Sequence, residues 1–242
     1  MSKQKLFASS ISAPNHSMSS SQQANSTTYE CSLHASIHSD SMKLLKNRLE
    51  TICGGSETGR QRMETYELFK PKYQTPPGPK RKDDTLLFLR TQYKMSNPEF
   101  PLKEKTSILQ YGVPEIHNNR GSTVRPITSS TIYEGNSNEL LNILGYEKFS
   151  EHVRNGYWYL FDNVVWIGLY QVFKSNGSDS IGAGGLLDKS GTWVLEAASL
   201  PVGQESVGHV IETLEKIKFL LKGTAELIIL DHNYTRSNVP YS

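Results

Sequence analysis

Cysteine is scarce, acid and base nearly cancel, and no apolar run approaches the roughly 20 residues of a membrane span. The two cysteines, Cys31 and Cys53, fit a single pair or two reduced thiols equally well and supply no disulfide framework. A net charge of +2 falls far short of the basic excess of a dedicated nucleic-acid binder. No signal-peptide h-region or cleavage site opens the chain. The Asn-x-Ser/Thr triplets at Asn15, Asn25, Asn176 and Asn233 therefore read as chance matches. Apolar residues are only 36% of the 242, yet aromatics reach 10%, which suggests a real core diluted by polar tails and loops. The composition is that of a soluble intracellular protein, and a globular unit of about 200 residues needs no covalent or metal staple.

Residues 1 to 28 are rich in Ser, Gln, Asn and Thr and are expected to form a disordered tail, since they cannot bury enough apolar area to offset ordering entropy. From Tyr29 the pattern changes. Tyr29, Cys31, Leu33, Ala35 and Ile37 alternate with polar residues, the period of a strand with one buried face. A helix is expected from about Asp40 to Cys53, with Met42, Leu45, Leu49 and Ile52 on one stripe and Gly54-Gly55 as its stop. Short strands follow at Tyr66 to Phe69, Leu86 to Tyr93, Ile108 to Val113 and 123 to 133. Between the first two lies a loop with Pro76-Pro77-Gly78-Pro79 and the basic residues Lys80, Arg81 and Lys82.

Asn136 with Glu139 three residues on marks a capped helix over Asn136 to Leu144, ended by Gly145. Long strands at about 149 to 161 and 164 to 174 flank Asp162-Asn163, a good hairpin turn because both residues tolerate positive φ. A strand from Thr192 to Leu200 precedes the longest helix, about Glu205 to Lys222, striped by Val207, Val210, Ile211, Leu214, Ile217 and Leu221. Glu226 to Leu230 reads as a terminal strand, and 233 to 242 as a loose tail. Eight or nine strands with short connections favour one antiparallel sheet curled into a barrel, with a few helices outside it. The expected class is mostly antiparallel β (α+β): a single open β-barrel of about eight strands, spanning 29 to 232.

No catalytic, metal or cofactor constellation is visible. Cys31 and His34 fall on opposite faces of a strand, with no second pair at ligand spacing. Gly182-Ala183-Gly184-Gly185 does not open a helix and lacks the Lys-Ser/Thr of a phosphate loop. Glu196 stands among apolar neighbours and, with no partner acid beside it, is expected to point out of the barrel. Cys31, Leu33 and Ala35, with Trp193, Leu195 and Ala197, are expected to fill its interior. The aromatic hairpin, including Trp158, Trp166 and Tyr170, reads as core packing before a base-stacking platform.

The ordered pieces YECSLHASI (29 to 37), LLNILGY (140 to 146), GYWYLF (156 to 161), YQVFK (170 to 174) and LEAASLPVGQE (195 to 205) resemble the family of Mediator subunit 18. No piece is specific alone; their order carries the resemblance. The long Pro/Lys insert at 71 to 84 departs from it. The resemblance implies an open barrel of about eight strands that pairs with Mediator subunit 20 and is tethered by a C-terminal helix of subunit 8. It implies other head-module subunits and the RNA polymerase II machinery as partners, nuclear localisation, and no catalysis, cofactor, membrane or specific nucleic-acid binding. The stripes around Leu45 and Leu49 and around Val210 and Leu214 are candidate partner contacts, with core packing as the alternative. Two rivals stand beside this reading. A tunnel-type phosphohydrolase would need alternating inward Glu-x-Glu pairs with Lys and Arg opposite, and no strand has such a pair. A lipocalin-like carrier would need an apolar interior and, usually, export.

Overall fold

The structure, a computed structural model, describes residues 27–55, 59–72, 85–95, 101–115, 120–175 and 185–231. The readings of the N-terminal tail up to residue 26, the Pro76–Pro79 loop, the Gly182–Gly184 run and the tail from Asn233 fall outside these residues, while Thr28, read as the end of the tail, already belongs to the first strand.

Nine strands form one sheet: β1 (Thr28–Ile37), β2 (Arg60–Pro71), β3 (Leu87–Lys94), β4 (Leu102–Tyr111), β5 (Thr123–Ile132), β6 (Tyr146–Phe161), β7 (Val165–Lys174), β8 (Trp193–Ser199) and β9 (Val202–Gly203). Three α-helices accompany them: α1 (Met42–Ile52), α2 (Ser137–Ile143) and α3 (Val207–Leu221). The sheet order is β5-β4-β3-β2-β6-β7-β8-β1-β9. Antiparallel pairing of β1 with β5, from Thr28↔Ile127 to Ser32↔Thr123, joins its two ends. The eight longer strands thus make a closed ring rather than an open one, and the two-residue β9 is an appendage on Thr28 and Tyr29. Closure leaves no long unpaired edge for another chain to template on.

Local chemistry explains the element boundaries. Asn136 Oδ1 accepts from the backbone N–H of Asn138 and Glu139 at the start of α2, satisfying two donors the helix leaves free. The β6–β7 hairpin turns through Asp162 (φ 48°) and Asn163 (φ 58°), and Val164 N–H donates to the Phe161 carbonyl. The segment after α3 is not the expected strand. It touches the sheet at one antiparallel bridge, His34↔Ile228, just beyond the point where β1 parts from β5.

The main hydrophobic core lies outside the barrel, between its wall and α1 and α3. Cys31, Leu33, Ala35, Ile37, Leu195 and Ala197 face those helices, packed with Tyr159, Phe161, Ile167 and Leu169. The expectation that Cys31, Leu33, Ala35, Leu195 and Ala197 fill the bore is therefore corrected. Trp193 likewise packs against the outer core and stacks on Tyr157. Alternation separates two faces of a strand, and the helices, which must bury their own stripes, claim the apolar face. Leu45, Leu49 and Leu214 are fully buried and Val210 is nearly so. Each such side chain contributes about 1.5–3 kcal/mol by leaving water. A smaller apolar cluster places Leu141 of α2 against Phe69 and Leu89.

Candidate functional site: a charged bore

With apolar side chains drawn outward, the alternate residues of each strand point inward and line a cavity of about 830 Å³. An eight-stranded ring is just wide enough for its side chains to meet or to leave a small chamber. Beside an apolar patch of Phe88, Leu109 and Ile127, many of the inward residues are long and polar, so they reach one another across it.

Glu196 is the centre of that network and does not point out of the barrel. Its Oε1 lies 3.2 Å from His34 Nε2, while Oε2 accepts from Arg154 Nη1 at 2.9 Å and from the Tyr170 hydroxyl at 3.0 Å. Four strands, β8, β1, β6 and β7, supply these groups. Register explains the meeting: Glu196 sits opposite His34 on one side and Gly168 on the other. Because Gly168 has no side chain, Tyr170 and Trp158 approach above it and stack at 5.7 Å. Burial raises the Glu196 pKa, but the Arg154 charge and the hydrogen bonds from His34 and Tyr170 outweigh it. The carboxyl is held well below the usual carboxylate range.

Arg154 lies between two aromatic faces, 4.2 Å from the Tyr66 ring centroid and 4.8 Å from that of Tyr170, a geometry that favours a guanidinium over an ammonium. Tyr66 donates to Glu64 Oε2 at 3.2 Å, and Gln92 donates to Glu64 Oε1 at 2.6 Å. Further round the wall, Arg125 Nε and Nη2 both donate to Glu30 Oε1, at 3.1 and 2.7 Å, and its guanidinium lies 3.6 Å from the Tyr111 ring centroid. Near the start of β2, Arg62 pairs loosely with Glu104 at 3.9 Å and lies over Trp166. Glu196, Glu64 and Glu30 are thus each engaged by hydrogen-bond donors, Glu104 has only the loose Arg62 pair, and the described residues hold no group of three or more His, Cys, Asp or Glu side chains placed to bind a metal.

His152 stacks on Tyr66 at 5.3 Å. Burial, reinforced by Arg154 and opposed by Glu151, lowers its pKa from 6.5 to about 4. The unfolded chain takes up this proton near pH 6.5 and the folded chain only near pH 4. Between those values the unfolded state binds more protons, so stability falls as the pH drops through that window. The expected loss is about 3 kcal/mol. In urea denaturation at a series of pH values, His152→Phe should keep the stacked ring and flatten this slope. An unchanged slope would place the titrating group elsewhere.

The bore was hidden from sequence reading because its residues are the ones that break apolar runs. The one available signal was the polar partner of each alternation, Glu30 and His34 in β1 and Glu196 in β8. Among the aromatics of the hairpin, Tyr159 and Phe161 do join the outer core, whereas Trp158, Trp166 and Tyr170 line the bore. The candidate partner contacts Leu45, Leu49, Val210 and Leu214 lie apart from it, packed together under α1 and α3.

Comparison with known proteins fits this architecture. The fold is similar to a chain in the structure of the Schizosaccharomyces pombe Mediator head module, with TM-score 0.68 and 19% identity over 84% of this chain and 98% of that one. It is also similar to the PH1819 protein of Pyrococcus horikoshii OT3, with TM-score 0.50 and 20% identity over 84% and 96% of the two chains. A weaker likeness, TM-score 0.46 and 8% identity over 83% and 91%, is to the Mimivirus capping enzyme triphosphatase. No curated protein sequence matches. The family described as Med18 protein matches residues 29–235, which takes in the strands and helices of the barrel but for Thr28 at the start of β1. The chain belongs to the Med18 family of Mediator subunits.

Proposed function

We propose that this chain is a non-catalytic subunit of the Mediator head module, acting in the nucleus through its outer surface. On this reading it pairs with Mediator subunit 20, is tethered by the C-terminal helix of subunit 8, and helps couple transcription regulators to RNA polymerase II. The observation that carries the proposal is apolar side chains left in water on and beside α2. Ile143 is 76% exposed and Tyr133 92% exposed, with Leu140, Leu144 and Phe149 also open to solvent. Leu140, Ile143 and Leu144 follow the i, i+3, i+4 spacing with which a helix meets a partner. Permanent hetero-complexes bury more than about 2,000 Å², and apolar residues of this kind are what such an interface covers. Leu45, Leu49, Val210 and Leu214 then serve binding indirectly, by fixing α1 and α3 on the barrel wall.

A tunnel-type phosphohydrolase is the competing use of such a barrel. It needs inward carboxylates free to hold a metal, whereas Glu196, Glu64 and Glu30 are bound by Arg, His, Tyr or Gln donors, which favours the adaptor. Coexpression tests the proposal. Made alone, the chain is expected to self-associate or stay poorly soluble. Coexpression with the subunit 20 and subunit 8 homologues should give a stable stoichiometric complex, weakened when Ile143 and Leu144 are both changed to Glu. A monodisperse monomer that ignores both partners would sink the reading.

A further inference from the structure

Among the described residues the bore has one more cation than carboxylate. Arg62, Arg90, Lys105, Arg125 and Arg154 line it, against the four carboxylates of Glu30, Glu64, Glu104 and Glu196. Arg125 and Arg154 have close carboxylate partners, and Arg62 has a distant one at 3.9 Å. Arg90 has none within ion-pairing distance among the described residues. Its side chain bonds Tyr66, its register neighbour in β2, and Glu64, itself held by Tyr66 and Gln92, attracts it from farther off.

Unused donors cluster at the same place. Arg90 Nε is buried with no hydrogen-bond partner among the described residues, and so is the hydroxyl of Ser107, which stands opposite Arg90 in the β3–β4 register. Lys105 is the register partner of Gln92 and belongs to the same wall. Burial lowers the Arg62 pKa; Glu104 and Glu64 oppose it, and Arg60 and Arg90 add smaller repulsions. A buried charge left without a partner is costly, and buried donors are normally satisfied. A planar guanidinium presents forked N–H groups that match phosphate oxygens.

We propose that the bore is a binding site for a phosphate-class oxyanion, held by Arg90 with Arg62 and Lys105. A tetrahedral oxyanion suits the site better than a carboxylate, because Arg90, Arg62 and Lys105 come from three strands, β3, β2 and β4, and several oxygens pointing in different directions can reach donors on more than one wall. The anion enters a cavity lined by charged and polar side chains and supplies acceptors for the orphaned Arg90 Nε and Ser107 hydroxyl.

The test is calorimetric titration of inorganic pyrophosphate, and separately of a nucleoside triphosphate, into the full chain in its soluble subunit complex. Saturable binding is expected, weakened at least tenfold by Arg90→Gln and by Arg62→Gln but unchanged by Lys148→Gln on the outer surface. Equal affinity for the two ligands would assign the free anion, and tighter triphosphate binding the esterified one; either supports the site. Absence of saturable binding, or binding that survives both bore substitutions, overturns it. Should Arg90→Gln fail to fold, Arg90→Lys and the melting temperature of the unaltered complex decide. Pyrophosphate must raise that temperature above the effect of sodium chloride at equal ionic strength, and a failure to do so also overturns the proposal.

Discussion

Gly156→Val should leave little or no folded protein. Gly156 sits in the middle of β6, facing Tyr170 of β7. A Cβ there would lie 2.1 Å from the Leu169 carbonyl oxygen and 2.5 Å from Tyr170 Cα. Both are backbone atoms, so no side-chain rotation relieves the clash, and the two strands of the hairpin would have to separate. Overpacking and strain of this kind account for the rare single substitutions that cost more than about 4 kcal/mol. A protein whose whole stability is of order 5–15 kcal/mol has little in reserve for it. Gly208→Ala is the matched control. It lies near the start of α3 with nothing within 4 Å of the new Cβ, and should be neutral or stabilise by up to about 1 kcal/mol through helix propensity. Denaturation midpoints and soluble yield of the two variants in the same subunit complex make the comparison. Near-native stability of Gly156→Val would mean that β6 and β7 do not pair in this register.

Glu196→Ala should cost about 3 kcal/mol, toward the lower end for a broken buried ion pair, because about a fifth of each partner's side chain is open to the bore (19% for Glu196 and 21% for Arg154). The substitution strands the Arg154 guanidinium between Tyr66 and Tyr170 and removes the acceptor used by His34 and Tyr170. Removing Arg154 as well should restore part of the loss. In a double-mutant cycle read by urea denaturation the two residues should couple by roughly 1–3 kcal/mol. A coupling near zero would show that water in the bore screens the pair and that the network is not a structural element. Binding of partner subunits, by contrast, should survive Glu196→Gln, since no atom of this network reaches the exposed face of α2.

The strands that sequence reading placed well are those whose apolar face belongs to the outer core. Tyr29 to Ile37 and Trp193 to Ser199 show clean alternation because Leu33, Ala35, Leu195 and Ala197 meet helices. The strands read too short are those whose polar residues serve the bore. β2 begins at Arg60 rather than Tyr66, since Arg62 and Glu64 break the apolar run. β4 begins at Leu102 rather than Ile108, behind Lys103, Glu104 and Lys105. A polar interior erases the contrast between faces on which strand recognition depends. The same contrast misdirected Glu196: a carboxylate among apolar neighbours points away from those neighbours, but the apolar side here is the helix side. No local rule identifies which face of a curled sheet is the concave one. That requires the ring to be closed in space, through pairings such as β1 with β5 that lie far apart in the chain.

The closing seam also sets a schedule for synthesis. The backbone N–H of Cys31 bonds Ser199, 168 residues later in the chain. At roughly 5–20 residues per second, the first strand emerges from the ribosome about 10–30 s before the last wall it pairs with exists. Until β5 emerges both flanks of β1 offer unused amide and carbonyl groups to any neighbouring nascent chain, and the flank that meets β8 stays open for the whole interval. A molecule built this way needs chaperone protection early in translation, before any assembly partner can help.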